Sequence, residues 1–215
     1  MIDMLPGCTI IRKCSACAGP IEEQTIESGN TIGAKHWTDG KLEAPMLPDM
    51  FWLVICPHCH APLWLDEIEE IETLEIFELW SESLESRYPN ISIYKSPSVH
   101  DYFAILARHV ASPKKTRYLR LRAWRAGNDA RRNNKNEFKI SVYEKSNLIA
   151  LAGILDETND NDLLMKAEVM RELSRFADAK ALLAKVSESG HSQAFKIIKG
   201  LTEKHDPYVR EMSIK

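Results

Sequence analysis

Two different periodicities divide the chain. Residues 8 to 65 carry short apolar runs, FWLVI (51 to 55) and PLWL (62 to 65), bounded by Gly, Pro and Cys, which predict short strands. Between them, SGNTIGAKHWTDGKLEAPMLPD holds S-G-N, D-G and two prolines, the signature of turns and a loop excursion too polar for a core of its own. From Asp66 to Arg87, Ile68, Ile71, Leu74, Phe77 and Trp80 recur at threes, and we read a helix, although E-I-E-T-L-E-I-F-E-L alternates in part like a strand. Tyr88-Pro89-Asn90 ends that segment, and ISIY leads as a brief strand or linker to Ser96-Pro97-Ser98.

From Ser98 the pattern is helical. Ser98 is placed to cap a helix with Tyr102, Phe103, Ile105 and Leu106, and Ser112-Pro113 supplies a cap followed by proline at the first helical position. Further helices are expected over Phe138–Leu155, Asp162–Phe176, Ala177–Ser187 and His191–Lys204, with a short turn or helix after Pro207. The expected class is α+β: a small β zinc-ribbon domain with a long inserted loop and acidic segment over 1–95, then an antiparallel helical domain over 96–215.

The cysteines give the chemistry. Cys14-Ser-Ala-Cys17 and Cys56-Pro-His-Cys59 are two C-x-x-C turns, each able to bring two thiolates to one ion, so Cys14, Cys17, Cys56 and Cys59 are the expected ligands of one structural Zn2+. The pairing looks like a zinc ribbon. A redox C-x-x-C would require a βαβ setting that is missing here and would leave the second copy unexplained. Four thiolates close the coordination sphere, whereas a catalytic zinc keeps a position open. His58 and His60 flank Cys59 as possible substitutes for a cysteine but are read as surface residues, and Cys8 as a small buried hydrophobe.

Composition narrows the class. With 44% hydrophobic and 27% charged residues the 215-residue chain resembles ordinary globular proteins. A basic start with an apolar core is missing, as is any run of 18 apolar residues, so neither a signal peptide nor a membrane span is expected, and a cytoplasmic location follows. The net charge of -3 conceals an asymmetry: 66–85 carries nine acids and no base, and 114–135 carries nine bases and one acid, Asp129. Bases interleaved with Tyr118 and Trp124 suit phosphate contact and base stacking, which makes nucleic-acid binding by helix 114–135 one reading. The preferred reading pairs the two charge runs with each other, and a protein partner is the third. Loop 28–49 holds Asn30, Thr31, His36, Trp37 and Asp39, groups found in recognition loops, and His36 with Asp39 forms at most a lone dyad. No G-x-S-x-G, phosphate-binding glycine loop or H-E-x-x-H is present, so no enzyme is expected.

In 162–186, Leu163, Ala167, Met170, Ala179, Leu183 and Val186 stand where tetratricopeptide repeats place packing residues, and AEVMRELSRFADAKALL resembles the core of one such repeat. The resemblance implies stacked helical hairpins and a protein-interaction role. The zinc ribbon with its S-G-N-T…W-T-D-G…P-M-L-P insert, a P-L-W-L-D strand and a helical tail resembles a group of uncharacterised bacterial cytosolic proteins, which implies a bacterial source and no particular activity. The expected function is a non-catalytic interaction or adaptor module.

Overall fold

The computed structural model describes residues 4–75, 83–108, 112–132, 139–187 and 192–213. Its strands are β1 (Leu5–Lys13), β2 (Pro20–Ser28), β3 (Lys35–Trp37), β4 (Leu42–Glu43), β5 (Leu53–Ile55), β6 (Pro62–Trp64), β7 (Glu69–Leu74), β8 (Ser92–Ile93) and β9 (Glu211–Met212). Its helices are α1 (Leu84–Arg87), α2 (Val99–Leu106), α3 (Pro113–Arg132), α4 (Val142–Ile154), α5 (Asp160–Glu172), α6 (Phe176–Leu183) and α7 (Gln193–Glu203). The class is α+β. Among the described residues no helix is long and apolar enough to cross a membrane. The chain forms two compact units, one of residues 1–34 and 43–97, the other of 35–42 and 98–215.

Unit 1 is built on the β1–β2 hairpin, which has β7 antiparallel on its β1 side and β8 parallel on its β2 side. A separate hairpin, β5–β6, pairs Leu53 with Trp64 and Ile55 with Pro62. Alternation along β1 and β2 turns Ile11 and Ile21 inward, and Ile21 joins Val54, Leu63, Leu65, Ile68, Cys14 and Cys56 in a small core.

Of the helix expected over 66–87, residues 66–75 form none, and only the short α1 at Leu84–Arg87 is helical among the described residues. A 3-10 turn at Leu65–Glu67 runs into strand β7, and Phe77 and Trp80 lie outside the described residues. Pairing decides the matter. In a strand the acids fall opposite bases of β1, with Glu70 in register with Arg12 and Glu69 Oε2 3.6 Å from Lys13 Nζ. Ile68 and Leu74 are buried, but Ile71 is 43% exposed, so the spacing by threes was not the buried face. Glu72 accepts from Arg87 Nη2 at 2.5 Å and from Tyr88 Oη at 2.6 Å.

In unit 2, α2, α4, α5 and α7 begin where a capping residue stands. Ser98 and Ser141 form capping boxes with Asp101 and Glu144, Asn159 and Ser192 cap α5 and α7, and Pro113 opens α3. The core gathers Trp124, Leu148, Leu151, Leu163, Val169, Leu182, Leu183, Phe195 and Ile198 around the close crossing of α5 and α6, where Ala167 and Ala179 are fully buried.

Segment 35–42 also belongs to unit 2. Strand β3 pairs antiparallel with β9, His36 opposite Met212, and the D-G turn holds Gly40 at φ 72. Trp37, Thr38 and Asp39 are buried, not displayed as the recognition-loop reading expected. Asp39 accepts a two-pronged pair from Arg132, with Nη1 to Oδ1 at 3.1 Å and Nη2 to Oδ2, plus Asn128 Nδ2 at 3.0 Å. Those contacts take up both carboxylate oxygens, and a His36–Asp39 dyad is not formed. The Arg132 guanidinium also lies 4.9 Å from the Trp37 ring centroid.

A second buried pair, Glu168–Arg171, stands one turn from Glu172 on α5. Arg171 Nε donates to Glu168 Oε2 at 2.7 Å, and Arg171 also reaches the backbone carbonyls of Asp206 and Tyr208. Glu172 accepts from Trp124 Nε1 at 2.9 Å and Asn128 Nδ2 at 3.2 Å. Burial, with repulsion from Glu168 and Asp39, pushes its carboxyl up to about 8. Three buried acids thus face two buried arginines, an excess of negative charge that falls on Glu172.

Part of each charge run is engaged within its own unit. Arg117 binds Asp162, Arg125 binds the Asp39 and Gly40 carbonyls, Arg131 binds Glu144, Arg132 binds Asp39, and Lys41 binds Asp129 at 2.6 Å, all inside unit 2. The acids Glu69 and Glu72 find Lys13 and Arg87 inside unit 1.

Candidate metal centre

Two hairpin turns carry the four cysteines. Cys14 to Cys17 follow β1 and lead into β2, and Cys56 to Cys59 join β5 to β6. The two turns share one backbone pattern. Ala18 N–H donates to Cys14 O at 2.9 Å and Cys14 N–H to Gly19 O at 3.0 Å; His60 N–H donates to Cys56 O at 3.1 Å and Cys56 N–H to Ala61 O at 2.9 Å. The residue after each second cysteine takes a left-handed conformation, Ala18 at φ 59 and His60 at φ 60. That conformation is uncommon outside glycine, and it recurs at the same place in both turns.

The four sulfurs all lie within 4.8 Å of one another, with Cys14 Sγ to Cys59 Sγ and Cys17 Sγ to Cys56 Sγ each 3.8 Å. A tetrahedral thiolate site with metal–sulfur bonds of about 2.3 Å has edges of about 3.8 Å, and a disulfide requires about 2.05 Å. The four residues therefore lie together in an arrangement that can hold a metal ion, and the spacing excludes a disulfide. Cys14 and Cys56 are buried, Cys17 and Cys59 exposed, so the site sits at the edge of the small core. Burial pushes the Cys56 thiol up to about 12, while the Ala61 N–H foremost draws Cys59 down. Ala16 N–H approaches Cys14 Sγ at 3.4 Å, the kind of backbone contact that supports a ligated thiolate.

The neighbours are structural. His58 and His60 are exposed, and His58 Nε2 donates to the Pro20 carbonyl at 2.9 Å, tying the second turn to the strand that leaves the first. Gly19 allows this approach, since a Cβ there would lie 2.6 Å from the His58 ring. Cys8 is half-buried, with its sulfur 3.5 Å from Thr25 Oγ1, and is less enclosed than expected for a core residue.

Sequence reasoning found the four sulfurs and missed the buried polar network of unit 2. Asp39, Arg132, Glu168, Arg171 and Glu172 looked like loop and surface charges because their partners are distant in sequence. The one local signal was the Glu168–Arg171 spacing of three on a helix. Comparison with family models, curated proteins and solved structures gives no match for this chain.

Proposed function

We propose that the chain is a non-catalytic, zinc-stabilised interaction or adaptor module, with one structural Zn2+ on Cys14, Cys17, Cys56 and Cys59 and a helical unit that presents a docking surface to another protein in the cytoplasm. The closed set of four sulfurs carries the reading. It leaves no position for substrate or an activated water, which suits a metal that holds unit 1 together. One compact tetrahedron of sulfurs suits a single ion and not a cluster-sized cage, and a closed set of four thiolates is the usual structural zinc site.

The protein-partner half rests on α4, which is apolar on both faces. Leu148, Leu151 and Ala152 point into the core, whereas Val142 is 77% exposed, Tyr143 76% and Ile149 58%. Val142 and Ile149 are two turns apart on one outward stripe, beside the Tyr143–Phe103 ring contact at 6.3 Å. A tetratricopeptide-like stacking of α5 and α6 belongs to the same proposal. Nucleic-acid binding by α3 is less well supported, because Arg117, Arg125, Arg131 and Arg132 already bind acids or carbonyls of their own unit.

Metal analysis of protein purified under reducing, chelator-free conditions should find about one zinc per chain, and a preparation that folds without metal overturns the structural-zinc reading. For the partner, Val142→Ser with Ile149→Ser should abolish a specific protein contact that wild type makes at unchanged helix content. Retained contact, or recovery of nucleic acid instead, rejects the α4 surface.

A further inference from the structure

Unit 2 contains a cavity that neither the metal centre nor the outward face of α4 uses. It measures about 360 Å³ and lies among α3, the start of α4, the end of α5 and the segment Pro207–Val209. That is the size of a small-molecule site. Ile140, Leu173, Pro207 and Val209 give it apolar walls, and Arg131, Lys139 and Lys145 give it three cations.

Arg131 is held in place before any ligand arrives. Its side chain is only 12% exposed; Glu144 accepts its Nη2 at 2.6 Å, and Asn128 Oδ1 accepts Nε at 3.2 Å and Nη2 at 3.1 Å. Gly127 makes room for that carboxylate, since a Cβ there would lie 2.5 Å from Glu144 Oε1. Nη1 has no acceptor among the described residues, and no buried side-chain nitrogen or oxygen among them lacks a partner, so this donor meets solvent. Lys139 and Lys145 are exposed, and their ammonium groups have no side-chain partner among the described residues. Glu172, the one acid lining the cavity among the described residues, opposes the two lysines little: Trp124 Nε1 and Asn128 Nδ2 hold its carboxyl, and burial, with repulsion from Glu168 and Asp39, raises it to about 8.

We propose that this cavity binds a small organic anion, with its phosphate or carboxylate group against Arg131, Lys139 and Lys145 and its apolar body against Ile140, Leu173 and Val209. A guanidinium fixed by Glu144 and Asn128 supplies direction, and the two free lysines supply charge without an internal ion pair to break. Inorganic phosphate would satisfy the cations but leave the apolar walls bare. A polymeric nucleic acid does not fit a cavity of this size.

Isothermal titration of the full chain with phenyl phosphate, benzoate, inorganic phosphate and benzyl alcohol tests this. One saturable site is expected for phenyl phosphate or benzoate, tighter than for inorganic phosphate and absent for benzyl alcohol; the tighter of the first two identifies the anionic group. Lys139→Gln with Lys145→Gln should weaken that binding by about tenfold or more at unchanged melting temperature. No saturable binding of either aromatic anion at millimolar concentration, equal binding of benzyl alcohol, or full affinity in the double variant would each overturn the proposal.

Discussion

The two units solve the same problem with different materials. Among the described residues, the main cluster of unit 1 sets Cys14 and Cys56, two of the four metal-site residues, beside only Ile21, Val54, Leu63, Leu65 and Ile68. Unit 2 has an apolar core more than twice as populous, yet at its heart lie Asp39, Arg132, Glu168, Arg171 and Glu172. A thin core close to a four-sulfur site depends on an ion for cohesion, whereas a larger core can accommodate buried charge as long as every charge is matched. The contrast teaches that stability and specificity come from separable sources in one chain, and it can be broken from either side.

The largest effect should come from the metal. Structural zinc binding is worth on the order of 10 kcal/mol, more than so small a core supplies, so a chelator or Cys56→Ser should unfold unit 1 and leave the helical far-ultraviolet signal mostly intact. Loss of the helical signal in the same transition would erase the distinction between the units. Next in size is the buried pair. Asp39→Ala takes away the buried two-pronged partner of Arg132 and leaves it Asp129 Oδ1 at 2.9 Å, so it should cost about 3 kcal/mol in urea denaturation followed by helix content, and Asp39→Leu with Arg132→Met should recover most of it. A cost below about 1 kcal/mol for Asp39→Ala would mean that water reaches Arg132 and that the network is not sealed.

Glu172 sharpens the comparison through pH. Its folded value of about 8 stands above the ordinary 4.5, so the folded state holds a proton that the unfolded chain releases across that window. Its contribution is therefore fully present below about 4.5 and is lost as pH rises toward 8. Glu172→Gln, which resembles the protonated form, should flatten this decline and leave the variant the more stable at pH 9. An unchanged slope would show that Glu172 ionises freely. The smallest effect belongs to Glu157, which hydrogen bonds from Lys166 and Lys185 hold down at about 2. Its contribution is present above 4.5 and fades as pH falls toward 2. Because Glu157 is exposed, Glu157→Gln should barely move the melting temperature at pH 7, and a large shift would make this surface cluster a third source of stability.

What could be read from the sequence depended on how far each constraint reaches. The metal-site residues were legible because two C-x-x-C turns are short and self-contained. Ser98 and Pro113 announced their helices for the same reason, since a cap acts within one turn, whereas the cap at Ser141 was passed over and its helix expected from Phe138. Strand β7 was misread because Ile68, Ile71 and Leu74 fit a period of three, and only the cross-strand partners Arg12 and Lys13, more than fifty positions earlier, favour a strand. Asp39 was misjudged more severely. In a polar D-G turn it resembles an exposed loop residue, and its meaning is supplied by Arg132, 93 positions away.

The joining of β3 to β9 has a consequence for the order of assembly. Arg210 N–H donates to Thr38 Oγ1 at 3.1 Å across a sequence separation of 172 residues, and His36 meets Met212 in the same strand pair. During synthesis the segment holding Trp37 and Asp39 emerges early and must wait for most of the chain before β9 exists to receive it. Helical hairpins such as α5–α6 close over short spans and form fast, but a contact of such long range carries a loop-closure cost that local structure cannot offset in advance. The β3–β9 pair should thus be among the last parts of unit 2 to gain amide protection in pulsed hydrogen exchange, after α5 and α6. Until then Arg132 has no carboxylate from Asp39, so unit 2 finishes folding by capturing a strand made long before its partner.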